Sequence, residues 1–99
     1  MAENVMAALP RGRSHLADQL TRASLSIVLN VAEAAGKISA ADKRRYYVSA
    51  RGSATESAAL FDVGHRLKLV PEREYCEGKE MLWRIVSMLV KLARTLEER

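Results

Sequence analysis

The stretch Leu16–Ile38, LADQLTRASLSIVLNVAEAAGKI, is apolar on two sides and polar between them. Leu16, Leu20, Ala23, Ile27, Val31, Ala34 and Ile38 recur at three- and four-residue spacing, the period of a helix that turns one face to a core. Leu25, Leu29 and Ala32 make a second strip on roughly the opposite side, and Arg22, Ser26, Asn30 and Glu33 run between the two as a polar row. A helix apolar on two sides is flanked by other helices, so this segment predicts an all-α fold. At 99 residues the chain suits one domain, and a chain this short buries only a modest core by itself. Aromatics are 5% of the chain, so the interior is expected to consist of small and aliphatic side chains. No stretch alternates convincingly as a strand would.

Helix boundaries follow from the breakers. Residues 1–9, MAENVMAAL, read as a short helix of about two turns, marginal alone, that Pro10 and Gly12 interrupt. Ser14 is a suitable N-cap for a long helix over 15–36, which Gly36 ends in a left-handed conformation with Lys37 near the negative end of the dipole. Ser39 followed by Asp42 is a capping-box variant that starts a helix over 40–67. Pro71 opens the last helix, 71–97, with Glu72, Glu74 and Glu77 near its positive N-terminal end. The expected fold is thus all-α: an antiparallel four-helix-bundle-like domain with a short first helix and three long ones, oligomeric in solution.

Between Gly36 and Ser39 there is room only for a tight hairpin, so the helices on either side are antiparallel neighbours. Folding the chain about Ser39 sets Arg22 opposite Glu56, Ser26 opposite Gly52 and Ser53, Asn30 opposite Val48 and Ser49, and Glu33 opposite Arg45. Arg45, Ser49, Gly52 and Glu56 share one side of their helix, so the two polar rows can satisfy one another. The expectation is a structural polar seam of Arg22, Ser26, Asn30, Glu33, Arg45, Ser53 and Glu56, with small residues for close approach and two ion pairs fixing register. A metal or catalytic site on Arg22, Asn30, Glu33 and Glu56 is the weaker reading. Di-metal bundles need several carboxylates and a Glu-x-x-His arrangement, which is absent, and His15 and His65 stand apart.

Tyr47, Ala50, Ala54, Ala58 and Phe61 form a second packing face, with Arg44, Arg51 and Arg66 on an exposed side between. In the last helix Leu82, Ile85, Leu89, Leu92 and Leu96 follow a heptad-like spacing with Val86 and Ala93 beside them. Met81, Trp83 and Met88 lie off that seam, where they cover a subunit contact or widen the core face. A lone cysteine, Cys76, makes no internal disulfide and reads as an incidental thiol in a reducing compartment. With no signal-peptide order at the start and no apolar run near 20 residues, the expected location is cytoplasmic.

The net charge of +4 is uneven. Eight basic and three acidic residues lie between Pro10 and Arg51, whereas Gly52–Arg99 holds eight of each. Arg11, Arg13, Lys37, Lys43, Arg44 and Arg51 are the candidate phosphate contacts. No Gly-rich phosphate loop, metal-ligand cluster or nucleophile with a nearby base is present, so no enzyme and no cofactor are expected.

The segments DQLTRASLSIVLNVAEAAGK, ARGSATESAAL and MLWRIVSMLVKLARTL resemble the small bacterial four-helix-bundle family first described from intervening sequences in 23S ribosomal RNA genes. The family includes the accessory variability determinant proteins of diversity-generating retroelements. Its similarity runs from about Leu16 to Leu96 and is most specific at Gln19, Arg22, Ala23, Ser26, Asn30, Ala32 and Glu33, then at Gly52, Ser53 and Glu56. The resemblance implies an antiparallel bundle that assembles into a ring, commonly a homopentamer, without enzymatic activity. For the retroelement members it implies a basic barrel that binds nucleic acid and a partner reverse transcriptase. The chain departs from the family in its short first helix and in Ala34, where the family has a glycine after the Ala-Glu pair. Two functions follow as expectations: a non-enzymatic oligomeric accessory protein that binds RNA or DNA through basic surfaces, or a protein-interaction scaffold that uses Trp83, Met81, Met88 or Tyr75 and has no nucleic-acid role.

Overall fold

A computed structural model describes the backbone of residues 2–97 and the side chains of residues 12–97. It contains three helices, α1 (Ala2–Gly36), α2 (Ala40–Arg66) and α3 (Glu72–Glu97), and no strand among the described residues. The all-α expectation and the two long helices after the hairpin are met, the latter with their bounds within one residue. The separate helix over 1–9 is not. α1 runs unbroken through Pro10 and past Ser14, so three helices are described where four were expected. Proline costs one hydrogen bond and crowds one carbonyl, yet its fixed φ near −65° is itself helical, so it penalises a helix without forbidding it. The side chains of residues 1–9 lie outside the described residues.

The hairpin forms as its signals require. Ser39 is extended and its hydroxyl accepts the Asp42 N–H at 3.1 Å. Gly36 closes α1 without entering the left-handed region; the end is satisfied instead by Lys37 N–H donating to Ala34 O at 3.2 Å and by the Lys43 ammonium reaching the same carbonyl at 3.4 Å. At the other corner Lys68, not a glycine, takes φ 59°. Lys68 N–H donates to His65 O and Leu69 N–H to Gly64 O, the paired bonds of a Schellman ending.

α2 is the central helix. It packs against both neighbours, whereas no Cα of α1 comes within 8 Å of one in α3 among the described residues. The core is correspondingly thin: Ile27, Ala54 and Leu82 meet at its centre, with Ala58, Phe61, Ile85 and Val86 packed around them. Ala50 and Ala54 are fully buried, and Ala54 packs between Ile27 of α1 and Leu82 of α3. Gly78 serves a similar purpose on α3, since a Cβ there would stand 2.7 Å from the Phe61 ring. What reads as a weak point for helix propensity is a seat for an aromatic side chain.

The core face of α1 is met at Leu16, Ala23, Ile27 and Ala34 and only in part at Leu20. Val31 and Ile38 leave it, Ile38 with 99% of its surface exposed, because Ile38 lies beyond the end of the helix and its face no longer points inward. The second strip stays open as well: Leu25 and Leu29 are 55% and 62% exposed, with Val28 beside them. On α3, Met81, Met88 and Leu92 are exposed and Ile85 half-buried in one i, i+4, i+7, i+11 stripe.

α3 is tied to α2 at the second corner by polar contacts. Tyr75 Oη donates to Asp62 Oδ1 at 2.7 Å and Lys79 Nζ lies 3.0 Å from both Asp62 oxygens. His65, which the sequence left isolated, stacks on Tyr75 at 4.0 Å between ring centres and hydrogen-bonds Glu72. The Tyr75 hydrogen bond, then the Lys79 contact, hold the Asp62 carboxyl below its ordinary range. A carboxyl whose pKa is lower in the folded state stabilises the fold above its unfolded value, and that contribution disappears as pH falls through the folded one. Acidification below the ordinary carboxylate range is therefore expected to loosen this corner, and Tyr75→Phe to shift the Asp62 titration upward in carboxyl NMR. An unmoved Asp62 titration in that variant would show that the tyrosine does not set it.

Candidate nucleic-acid interface

The polar seam exists, but it is smaller and more neutral than its sequence suggests. The Ser26 and Ser53 hydroxyls hydrogen-bond across α1 and α2 at 2.7 Å. Asn30 Nδ2 donates to Ser26 O at 2.8 Å and to Ser26 Oγ at 3.2 Å, and Ser57, the one buried polar residue among those described, donates back to Ser53 O. The two expected interhelical ion pairs do not form. Glu33 pairs with Lys37, just beyond the end of α1, at 3.6 Å, Arg45 pairs with Asp42 at 3.8 Å, and Arg22 and Glu56 are both exposed and form no ion pair within 4.0 Å among the described residues. Partners at i+3 or i+4 are reached without spanning a helix–helix gap, and exposed pairs gain too little to enforce the longer route. Register here is fixed by the serines.

The basic residues gather at one end of the bundle. The Ser26–Ser53 level and the antiparallel path of α3 bring the C-terminal end of α1, the first half of α2 and the last turns of α3 to the same height. An open cleft of about 510 Å³ lies there between α2 and α3, lined by Arg44, Arg45, Arg51 and Arg94, with Val48, Val90 and Ala93 forming apolar wall and Glu97 the one acidic member among the described residues. Arg44 Nη2 donates to Glu97 Oε1 at 2.8 Å while its Nε is buried without a partner. Arg51 and Arg94 have no carboxylate within 4.0 Å among the described residues. Arg45 and Lys37 both approach the Tyr46 ring, at 5.1 and 5.2 Å from its centroid, which holds two cations near the hairpin.

Of the six candidate phosphate contacts, the structure gathers Arg44 and Arg51 in the cleft and leaves Lys37 and Lys43 at the neighbouring hairpin. Lys43 is engaged with the α1 carboxyl end and Lys37 with Glu33. Arg13 is exposed about 20 Å away along the bundle, at 1.5 Å of helix rise per residue, and belongs to the opposite end. The Arg11 side chain lies outside the described residues. Sequence spacing missed Arg94 and placed Arg45 in the seam; the signal available was the antiparallel α2–α3 register, which sets the last turns of α3 beside Arg44 and Val48.

Among the described residues no group of three or more His, Cys, Asp or Glu side chains is placed to hold a metal ion. Cys76 is exposed, and partial desolvation, then its hydrogen bond to Glu72, push its thiol above the ordinary range, which disfavours the nucleophilic thiolate. No helix of the described residues is long and apolar enough to cross a membrane.

The profile of the 23S rRNA-intervening sequence protein family matches residues 3–91, nearly the whole chain. The chain belongs to this family. Its matched span takes in the serine seam, Arg44, Arg45 and Arg51, and stops short of Ala93, Arg94 and Glu97, so the cleft combines residues inside the family profile with three beyond it. No match was found among curated proteins or among solved structures.

Proposed function

We propose that this member of the 23S rRNA-intervening sequence protein family is a non-enzymatic, homo-oligomeric accessory protein that binds nucleic-acid phosphates through the arginine cleft. The observation that carries the reading is the convergence of Arg44, Arg45, Arg51 and Arg94 from two helices on one open cleft. Guanidinium groups present forked donors that match phosphate oxygens, and an apolar wall without base-reading side chains suits contacts to backbone instead of sequence. Repetition of the cleft around an oligomer would multiply a weak individual site. A reverse transcriptase acting on the bound strand is the partner class that the retroelement resemblance brings to this reading.

Support for association comes from what the chain leaves uncovered. No Cα of α1 lies within 8 Å of one in α3 among the described residues, and each helix presents an apolar stripe, Leu25, Val28 and Leu29 on one and Met81, Met88 and Leu92 on the other. Monomeric proteins rarely expose apolar patches of this extent. Trp83, 72% exposed, supports the second reading, a scaffold that binds another protein. Size-exclusion chromatography with light scattering, run with a labelled RNA or DNA, separates them. An oligomer that co-elutes with nucleic acid at low salt is expected, a monomer would contradict the assembly, and an oligomer that ignores nucleic acid would favour the scaffold.

A further inference from the structure

We infer that Glu97 competes with nucleic-acid phosphate for Arg44, so that the last turn of α3 partly closes the basic cleft in the free protein and gives way when a phosphate binds. The inference rests on the nucleic-acid reading above. A carboxylate and a phosphodiester offer a guanidinium the same anionic oxygen acceptors, so the Arg44 Nη2–Glu97 Oε1 contact at 2.8 Å marks where a phosphate oxygen would sit. The pair is exchangeable: its side chains are 43% and 57% exposed, in water that screens their attraction.

Arg44 is also incompletely satisfied. Its Nε is buried with no acceptor, whereas a phosphate with two free oxygens can take two donors of the fork. Among the described residues Glu97 is the one acid that lines the cleft, and it stands at the C-terminal end of α3, where the helix dipole opposes a negative charge. Arg44 is thus the attraction that holds it in place. Arg51 and Arg94 line the same cleft without a carboxylate within 4.0 Å among the described residues, ready to take the flanking phosphates once Glu97 swings out.

The test compares the wild-type chain with Glu97→Gln and Glu80→Gln for binding a fluorescein-labelled oligouridylate by anisotropy at low salt, with circular dichroism melts to confirm the fold. Both substitutions remove one negative charge, but Glu80 pairs with Arg84 one turn along α3 and lies outside the cleft. Glu97→Gln is expected to bind about threefold to fivefold tighter than Glu80→Gln, the range set by an exposed ion pair that no longer has to be broken. Equal affinities for the two variants would overturn the inference and leave the Arg44–Glu97 pair as a tie between α2 and α3. Absence of binding in all three proteins would overturn the nucleic-acid reading and the competition with it.

Discussion

Replacing Arg44 and Arg51 together by glutamate is expected to weaken nucleic-acid binding at moderate salt by about 100-fold or more. Each reversal removes one cation from the cleft and adds one anion, so contacts that release counterions are replaced by repulsion. Arg51 is exposed and Arg44 half-exposed, so the three-helix framework tolerates both changes, although Arg44→Glu places two carboxylates beside each other at Glu97. The milder pair Arg44→Gln and Arg51→Gln avoids that repulsion and is expected to lose about tenfold, with a shallower salt dependence. Anisotropy titrations read both effects, and far-ultraviolet circular dichroism confirms that the helices remain. Unchanged affinity in the reversed variant would place the interface elsewhere.

Leu82→Ala is expected to have the largest effect on stability among single core truncations, about 2–5 kcal/mol. Leu82 meets Ile27 and Ala54 where, among the described residues, side chains of all three helices gather in one buried cluster. α1 and α3 are otherwise held apart, so no neighbouring layer can collapse into the vacated space. A domain of this size has a total stability of about 5–15 kcal/mol, and the loss would bring the unfolded state within reach of ordinary conditions. Urea denaturation measures it. Met88→Ala gives the contrast: the side chain is exposed, so an isolated chain would change by less than about 0.5 kcal/mol. A cost for Met88→Ala close to that of Leu82→Ala would mean that a second copy buries this stripe.

The sequence revealed most where a physical rule admitted one solution. Gly36 and Ser39 stand too close for anything but a hairpin, and Ser39 with Asp42 capped α2 as expected. The same hairpin predicted the Ser26–Ser53 contact, because matched heights on antiparallel helices follow from counting. Long charged side chains escape that logic. Arg22, Glu33, Arg45 and Glu56 share the correct faces, yet Glu33 and Arg45 take partners only four and three residues away along the chain. Pro10 misled because its cost can be carried by a long helix. Lys68 in the left-handed region left no glycine to mark the end of α2. The candidate cleft was half legible: Arg44 and Arg51 were visible as a basic helix face, whereas Arg94 and Glu97 joined them through the α2–α3 register, which no local pattern reports.

Affinity of the wild-type chain for a labelled single-stranded RNA, measured as a function of salt, tests the central claim most directly. Binding through the arginine cleft predicts a straight line of log affinity against log salt, falling by about 0.7 for each phosphate neutralised, and therefore a total slope of about −2 to −3 for three or four arginines per site. A flat line, or no binding at the lowest salt, would contradict it and leave the basic end of the bundle as a solvated surface.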